Sequence, residues 1–259
     1  MGLTTLITGG SKGIGYALAD QLAQRNHNLV LVARNQSPLQ EAADKLRSKY
    51  DINCRVLAKD LSRQDAPRDL YEKVQAEGIK VDWLINNAGF GGAGRFDQQS
   101  LDRQRAMVQL NATTLMELTH HLLQEMLQRD RGRIMNVAST AAFQPGPNMA
   151  LYYATKSFVL SLSDAIHQEL VDTNVTISTL CPGPTSTNFH ERAGTSGRII
   201  NNSFLSMSPE RVAKAGIEGL EKGKSVIVPG FMNKAGAIAI QFVPRSILRK
   251  IVDYLHSST

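Results

Sequence analysis

The sequence predicts an α/β chain: a doubly wound, mostly parallel seven-stranded sheet with helices on both faces. Three observations predict it. Short β-branched apolar runs alternate with longer amphipathic stretches along most of the 259 residues. The runs are apolar almost throughout, as strands buried on both faces must be. The first run ends in a glycine-rich turn that opens a helix, Thr8-Gly9-Gly10-Ser11-Lys12-Gly13-Ile14-Gly15, which makes the sheet Rossmann-type.

In order, strands are expected over residues 3–8, 28–33, 53–58, 81–86, 132–138, 175–180 and 225–228. Helical patterns fall between them, over 13–25, 38–49, 63–77, 101–128, 150–171 and 209–222. Such alternation implies right-handed crossovers, with ligands bound beyond the carboxyl ends of the strands near the switch point. The irregular stretch 182–208 is rich in Pro, Gly, Ser, Thr and Asn, a composition suited to a binding loop, and Pro209 ends it at a helix start.

Composition bounds the function. A hydrophobic content of 42% suits a globular domain with a substantial core. The net charge of +6 comes from scattered Lys and Arg, and the single Trp leaves no basic stripe with interleaved aromatics, which argues against a nucleic-acid binder. Cys54 and Cys181 form no CxxC and no Cys/His cluster, so no metal site is expected and both read as buried thiols in a reducing compartment. The N-terminus runs directly into a strand, no run reaches the length of a spanning helix, and a cytoplasmic protein is expected.

The glycines of the first turn allow close backbone approach to a pyrophosphate, and the helix N-terminus offers free N–H groups. Their G-x-x-x-G-x-G spacing is weak evidence alone and stronger directly after the first strand. A carboxylate closing the second strand would suit NAD, but the sequence reads Val32-Ala33-Arg34-Asn35. Arg34 and Lys12 can instead pair with a 2′-phosphate, which favours NADP(H). Asp60-Leu61 closes the third strand and Asn86-Asn87-Ala88-Gly89 the fourth. Asp60 is placed to accept from an adenine amino group and the Asn-Asn-Ala-Gly turn to pack on the adenosine. Each could also be a plain strand-end turn, and their shared position on the ligand edge favours binding.

The chemistry lies further on. Ser139 follows the fifth strand, and a helix from about Ala150 carries Tyr152 and Lys156 at i and i+4, on one face. Tyr153 is turned by roughly 100°. An adjacent ammonium favours the phenolate, so Lys156 is expected to lower the Tyr152 pKa from its ordinary value of about 10. Tyr152 could then donate a proton to a carbonyl oxygen as hydride reaches the carbon, with Ser139 orienting that oxygen. A second face of the same helix, Leu151, Ala154, Phe158, Leu162, Ala165, Ile166 and Leu170, is expected to pack on the sheet or on a partner subunit.

With these motifs in order, the chain resembles the short-chain dehydrogenase/reductase family over roughly residues 3–230. The resemblance rests on TGGSKGIG at 8–15, NNAG at 86–89, Asn111 in LNATT, Ser139, YYATK at 152–156 and CPGPTST at 181–187. It implies a single dinucleotide-binding catalytic domain over 1–259 with a substrate loop at 188–208. The implied catalytic set is Ser139, Tyr152, Lys156 and Asn111. Tyr152 would be the general acid/base, Lys156 would also hold the nicotinamide ribose, and Asn111 would position Lys156 through a water. Pro182, Gly183, Thr185 and Thr187 would hold the carboxamide. With Gly9, Ser11, Lys12, Gly13, Ile14, Gly15, Arg34, Asp60, Leu61, Asn87, Ala88, Gly89, Tyr152 and Lys156 they make the expected NADP(H) site. Pro184 is a mild departure from the family pattern. The resemblance also suggests a homodimer or homotetramer built through helices 101–128 and 150–171.

The Phe90-to-Phe96 loop, Phe143, Gln144 and residues 188–208 should line the substrate side and accept a partly apolar carbonyl compound or alcohol: a lipophilic ketone, an aldehyde or a 3-oxoacyl thioester. In the tail, 231–259, an apolar stripe of Ile247, Leu248, Ile251, Val252 and Leu255 lies beside Arg245, Arg249 and Lys250. Packing on its own domain, over the pocket or in a subunit interface is favoured over a membrane-surface helix, because most amphipathic helices simply pack. The alternative to an enzyme is a nucleotide-sensing scaffold of the same fold; it would be expected to lack Ser139, Tyr152 or Lys156, and all three are here.

Overall fold

The computed structural model describes residues 2–186 and 206–256, with side chains to Tyr254. Its centre is a seven-stranded sheet in the order β3-β2-β1-β4-β5-β6-β7, parallel throughout. The strands are β1 (Thr4–Thr8), β2 (Asn28–Ala33), β3 (Cys54–Ala58), β4 (Trp83–Asn86), β5 (Gly132–Val137), β6 (Val175–Leu180) and β7 (Val226–Ile227). They match the expected runs apart from a residue or two at the ends, where the chain leaves the ladder for a turn.

Two apolar layers hold the helices to the sheet. On one face, α1 (Gly13–Ala23), α2 (Gln36–Lys49) and α7 (Pro209–Glu221) bury Leu18, Leu22, Leu39, Leu46, Val212 and Ile217 against Ile7, Leu29, Leu31 and Met135. On the other, α3 (Ala66–Ala76) and α5 (Leu115–Gln128) bury Leu70, Val74, Leu118 and Leu122 against Leu6, Val30, Leu84 and Ile134. Alternate residues of each strand feed opposite layers. The start of α7 follows its sequence signal: the Ser208 hydroxyl accepts from the Arg211 N–H and Pro209 opens the first turn.

The expected single helix over 101–128 is three segments. An α-helix, α4 (Leu101–Val108), passes into a π-helical turn, Gln109–Thr114, before α5 begins. The turn is held from outside its own ladder. Asn111 bonds the Phe90 backbone at both ends, and the Thr114 hydroxyl donates to the Leu61 carbonyl at 2.8 Å. Apolar periodicity does not report such a change of pitch, and π-turns gather at functional sites.

The order reverses at β1, which pairs with β2 on one side and β4 on the other. The glycine turn after β1 and the Asn-Asn-Ala-Gly turn after β4 therefore meet at the carboxyl edge of the sheet. The helix α6 (Ala150–Glu169) packs on that edge through β6 and the short 3₁₀ turn Thr140–Phe143. Two tail helices follow β7: α8 (Phe231–Ile240) and α9 (Arg245–His256).

Candidate active site

The first turn is a close fit. Gly9 takes φ +69°, and a Cβ there would meet Asn87 Nδ2 at 2.7 Å. A Cβ on Gly15 would overlap the Gly9 carbonyl oxygen and lie 2.5 Å from Asn87 Nδ2. A side chain is excluded at Gly9 by the Asn87 amide and the positive φ, and at Gly15 by the Gly9 carbonyl and the same amide. Asn87 ties the turn down, its amide donating to the carbonyls of Thr8 at 3.0 Å and Gly9 at 3.2 Å. The Thr8 hydroxyl in turn accepts from the N–H groups of Asn87 and Ala88. Beneath it, Asn86 donates to Thr119 and Asn136, and Asn136 to Ser163, a buried polar chain linking α5, β4, β5 and α6.

Lys12 and Arg34 stand exposed at the ends of β1 and β2, and neither side chain makes an ion pair among the described residues. Arg34 does have a carboxylate in its field, that of Asp60. Burial pushes the Asp60 carboxyl up, but the Ser62 hydroxyl and N–H, Arg34 and Arg63 outweigh it and leave it below its ordinary value. Asp60 Oδ1 is already occupied by Ser62, whose N–H and hydroxyl donate at 3.1 and 2.7 Å. Leu61 is a core residue: its side chain is buried among Val32, Leu57 and Leu70, and its carbonyl is taken by Thr114.

At the other end of the edge, Ser139, Tyr152 and Lys156 come together. Ser139 follows β5 in an extended conformation; its Oγ accepts from the Ala141 N–H at 3.1 Å and contacts the Pro182 carbonyl at 3.4 Å. The Tyr152 hydroxyl is hydrogen-bonded to that of Ser139. Lys156 Nζ lies 5.9 Å from the Tyr152 ring centroid and donates to the Val137 carbonyl at 2.8 Å. Asn111 reaches the same place from the π-turn: its Nδ2 donates to Thr155 Oγ1, and a Cβ on Gly89 would meet both its Oδ1, at 3.1 Å, and Lys156 Nζ, at 3.6 Å.

The electrostatics differ from the sequence expectation. Burial pushes the Tyr152 phenol up to about 12, and the Ser139 hydrogen bond only partly offsets this. Burial pulls Lys156 down to about 8. The ammonium donates to the Val137 carbonyl and lies over the Tyr152 ring, and desolvation dominates the phenol. Cys181, next to Lys156, is likewise pushed up to about 12 by burial.

The α6 faces are also redistributed. Tyr152, Tyr153, Thr155, Lys156, Val159 and Ser163 are its buried stripe. Of the apolar face expected to pack, Ile166 and Leu170 join the sheet cluster, whereas Phe158 is 42% exposed. Tyr153, turned from Tyr152 as the helix requires, is nonetheless buried, its ring over Gly146 and its hydroxyl bonded to Gln144. Phe143 is partly buried, packed against the cluster of Leu115, Val159 and Cys181. Phe90 does reach the reactive side, in one cluster with Met107, Met149, Tyr152, Tyr153 and Val252; Phe96 is 61% exposed.

Pro182 bridges β5 and β6, its carbonyl accepting from Thr140. Gly183 packs on Asn233 of α8, and the Thr185 hydroxyl donates to the Gly183 carbonyl at 3.0 Å. Thr187 and residues 188–205 of the expected substrate loop lie outside the described residues. Sequence reasoning missed Thr155, which links Asn111 to the Tyr152 carbonyl, and the backbone anchor of Lys156. Thr155 stands within YYATK, three residues from Tyr152, a spacing that could have flagged it.

The model of the family described as short chain dehydrogenase matches residues 3–197. The chain belongs to that family. Among curated relatives, a very-long-chain 3-oxoacyl-CoA reductase of Anas platyrhynchos is 28% identical over 223 residues, covering 84% of this chain and 68% of that protein. The match to the Bos taurus protein of the same name covers only 59% of its length. A 7beta-hydroxysteroid dehydrogenase of Mediterraneibacter gnavus is 28% identical over 89% of this chain and 87% of its own. Among solved structures, a short-chain dehydrogenase from Sphingobium yanoikuyae in complex with NADPH aligns with a TM-score of 0.82 and 29% identity, covering 94% of this chain and 97% of that one. As a family member the protein is an oxidoreductase that uses a nicotinamide cofactor. Among the described residues no His, Cys, Asp or Glu cluster could hold a metal ion.

Proposed function

We propose that the protein is an NADP(H)-dependent carbonyl reductase acting on a lipophilic ketone, an aldehyde or a 3-oxoacyl thioester. The observation that carries it is the Ser139–Tyr152 hydroxyl pair with buried Lys156 beside it, on the same sheet edge as the glycine cradle. The residues present fit the cofactor. Gly9 and Gly15 leave room for a pyrophosphate at the start of α1, and Lys12 and Arg34 offer exposed cations to a 2′-phosphate. Asn87, Ala88 and Gly89 would flank the adenosine side, while Pro182, Gly183, Thr185 and Thr187 would meet the nicotinamide. When bound, the reduced nicotinamide supplies the hydride.

The chain's own groups manage the proton. A phenol held near 12 keeps its proton at neutral pH and delivers it to the carbonyl oxygen as negative charge builds there. Ser139 Oγ donates to the same oxygen and fixes its distance from Tyr152. The product is an alcohol, and the phenolate left behind is stabilised by the Lys156 ammonium. Asn111 holds the π-turn against Phe90 and steadies the face that Lys156 occupies. The apolar wall of Phe90, Met107, Met149 and Val252 favours a lipophilic substrate. The family names of the relatives, a 3-oxoacyl-CoA reductase and a hydroxysteroid dehydrogenase, support the same substrate class.

The two free, buried cysteines support a reducing, cytoplasmic setting. Among the described residues no helix is long and apolar enough to cross a membrane. Exposed Leu101, Val108, Met116 and Phe158 support a homo-oligomer formed through α4, α5 and α6. The test is a panel of ketones, aldehydes and 3-oxoacyl thioesters with NADPH against NADH. NADPH is expected to be preferred, and Arg34→Ala to cut the preference roughly 10–100-fold, as loss of a charge-assisted phosphate contact does. Equal use of both cofactors by the native chain overturns the role of Arg34 and Lys12.

A further inference from the structure

Half of the large exposed apolar side chains of the described residues lie from Phe231 onward, in the last two helices and the turn between them. In α8, Phe231, Ala235 and Ile238 follow the i, i+4, i+7 spacing of one helix face and all are exposed, Phe231 by 84%; Phe242, in the turn just past its end, is 82% exposed. In α9, Ile247, Ile251 and Tyr254 make a second exposed stripe.

The needs of the fold do not explain these stripes. Helix α9 already anchors itself through a different face: Leu248 and Val252 are buried, and Val252 packs with Met107, Met149 and Tyr152. Helix α8 anchors through Ala237 and through Asn233, which bonds the Pro229 carbonyl. Both outward stripes are additional to that packing, and a patch of this kind marks an interaction surface.

The charges around the stripes have one sign. From residue 229 onward the chain carries Lys234, Arg245, Arg249 and Lys250, all exposed, and a single carboxylate, Asp253. That carboxylate is engaged by the Asn148 side-chain amide at 3.1 Å. None of the four cations makes an ion pair with a described residue. Lys234 stands three residues from Phe231 and Lys250 three from Ile247, so an ammonium borders each stripe. Docking of a second copy through this face would set these cations against their own likenesses with no free carboxylate to pair them. A surface that is apolar below and anionic above suits them, since long cationic side chains reach the headgroups while the stripe enters the acyl boundary.

We propose that α8 and α9 form a docking face for the surface of a lipid bilayer bearing anionic headgroups, holding the protein on the membrane without spanning it. The proposal does not depend on which carbonyl compound is reduced. The test is co-sedimentation of the full chain with vesicles of phosphatidylcholine containing about 30 mol% phosphatidylserine, or none. The chain should pellet with the anionic vesicles, and pelleting should fall at least about fivefold on neutral vesicles or in about 0.5 M salt. A Phe231→Ser/Phe242→Ser double variant should abolish pelleting while keeping the native circular dichroism and melting temperature, since both residues are exposed. Lys234→Glu/Lys250→Glu should do the same. No pelleting on anionic vesicles, equal pelleting on neutral ones, or native binding by either double variant overturns the proposal. So does a native dimer that Phe231→Ser/Phe242→Ser converts to monomer, which would make a second copy the occupant.

Discussion

Replacing Gly15 by Ala tests the fit between the β1 turn and the β4 edge. The new Cβ would overlap the Gly9 carbonyl oxygen and lie 2.5 Å from Asn87 Nδ2, whereas non-bonded heavy atoms settle near 3.5 Å. The turn must open by about 1 Å. Opening parts Asn87 from the Thr8 and Gly9 carbonyls, two hydrogen bonds now at 3.0 and 3.2 Å, each contributing roughly 1 kcal/mol. Overpacking adds about 1–3 kcal/mol, and the better helix propensity of Ala returns just under about 1 kcal/mol. The net cost is about 2–4 kcal/mol. Where the strain stays in the folded chain, it lowers Tm by roughly 4–16 °C for a chain of this size. Where the turn opens instead, it weakens dinucleotide binding by roughly 30–1000-fold. Scanning calorimetry and NADPH titration read the two routes separately. Gly236→Ala is the control: that glycine lies in α8 with nothing within 4 Å of a new Cβ, so Ala should be neutral or slightly stabilising. Should Gly15→Ala keep Tm within about 1 °C and NADPH affinity within about twofold, the turn is not the tight cradle described.

Carbonyl reduction should slow as pH rises through about 8, where Lys156 loses its charge, while Tyr152 at about 12 keeps its proton across the range; a rate flat to pH 10 would exclude Lys156 as the ionising group. His27 gives a separate stability signal. Burial against Trp83 lowers its pKa from 6.5 to about 4, with Asp82 opposing and Arg25 adding to the shift, and its Nδ1 lies 2.8 Å from Thr5 Oγ1. The unfolded chain binds the proton first, so this stabilisation is complete above pH 6.5 and is lost as pH falls towards 4, roughly 3 kcal/mol in all. Denaturant unfolding of the native chain and His27→Gln between pH 4 and 7 should show a smaller acid loss in the variant; identical pH slopes would remove His27 from the account.

Much of this architecture was legible because it rests on short-range pattern. Strands buried on both faces are written as unbroken apolar runs, and the switch point follows from a glycine turn placed after the first of them. The Tyr152–Lys156 pair was legible for a similar reason, since helix pitch alone puts i and i+4 on one face. What stayed hidden depends on groups far apart in sequence. The π-turn at Gln109–Thr114 is held by Phe90 and Leu61, which no local periodicity reports. Leu61 sits at a strand end like Asp60, yet the Thr114 hydroxyl and the α3 side chains turn it into core. The raised phenol of Tyr152 follows from burial under Met107, Met149 and Val252, the last of them a hundred residues further along. The tail stripe read as one apolar face is two, because Leu248 and Val252 turn inward and Ile247 and Ile251 outward; the side chain of Leu255 lies outside the described residues.

The central claim is that the Tyr152 hydroxyl delivers the proton in carbonyl reduction. Tyr152→Phe removes that hydroxyl and keeps the ring in its buried cluster. Single-turnover reduction of a lipophilic ketone by NADPH should fall by about 10²–10⁴-fold, the usual worth of a positioned general acid. NADPH affinity, measured by titration on the same sample, should stay within about twofold of the native value. Native turnover in the variant would contradict the mechanism outright.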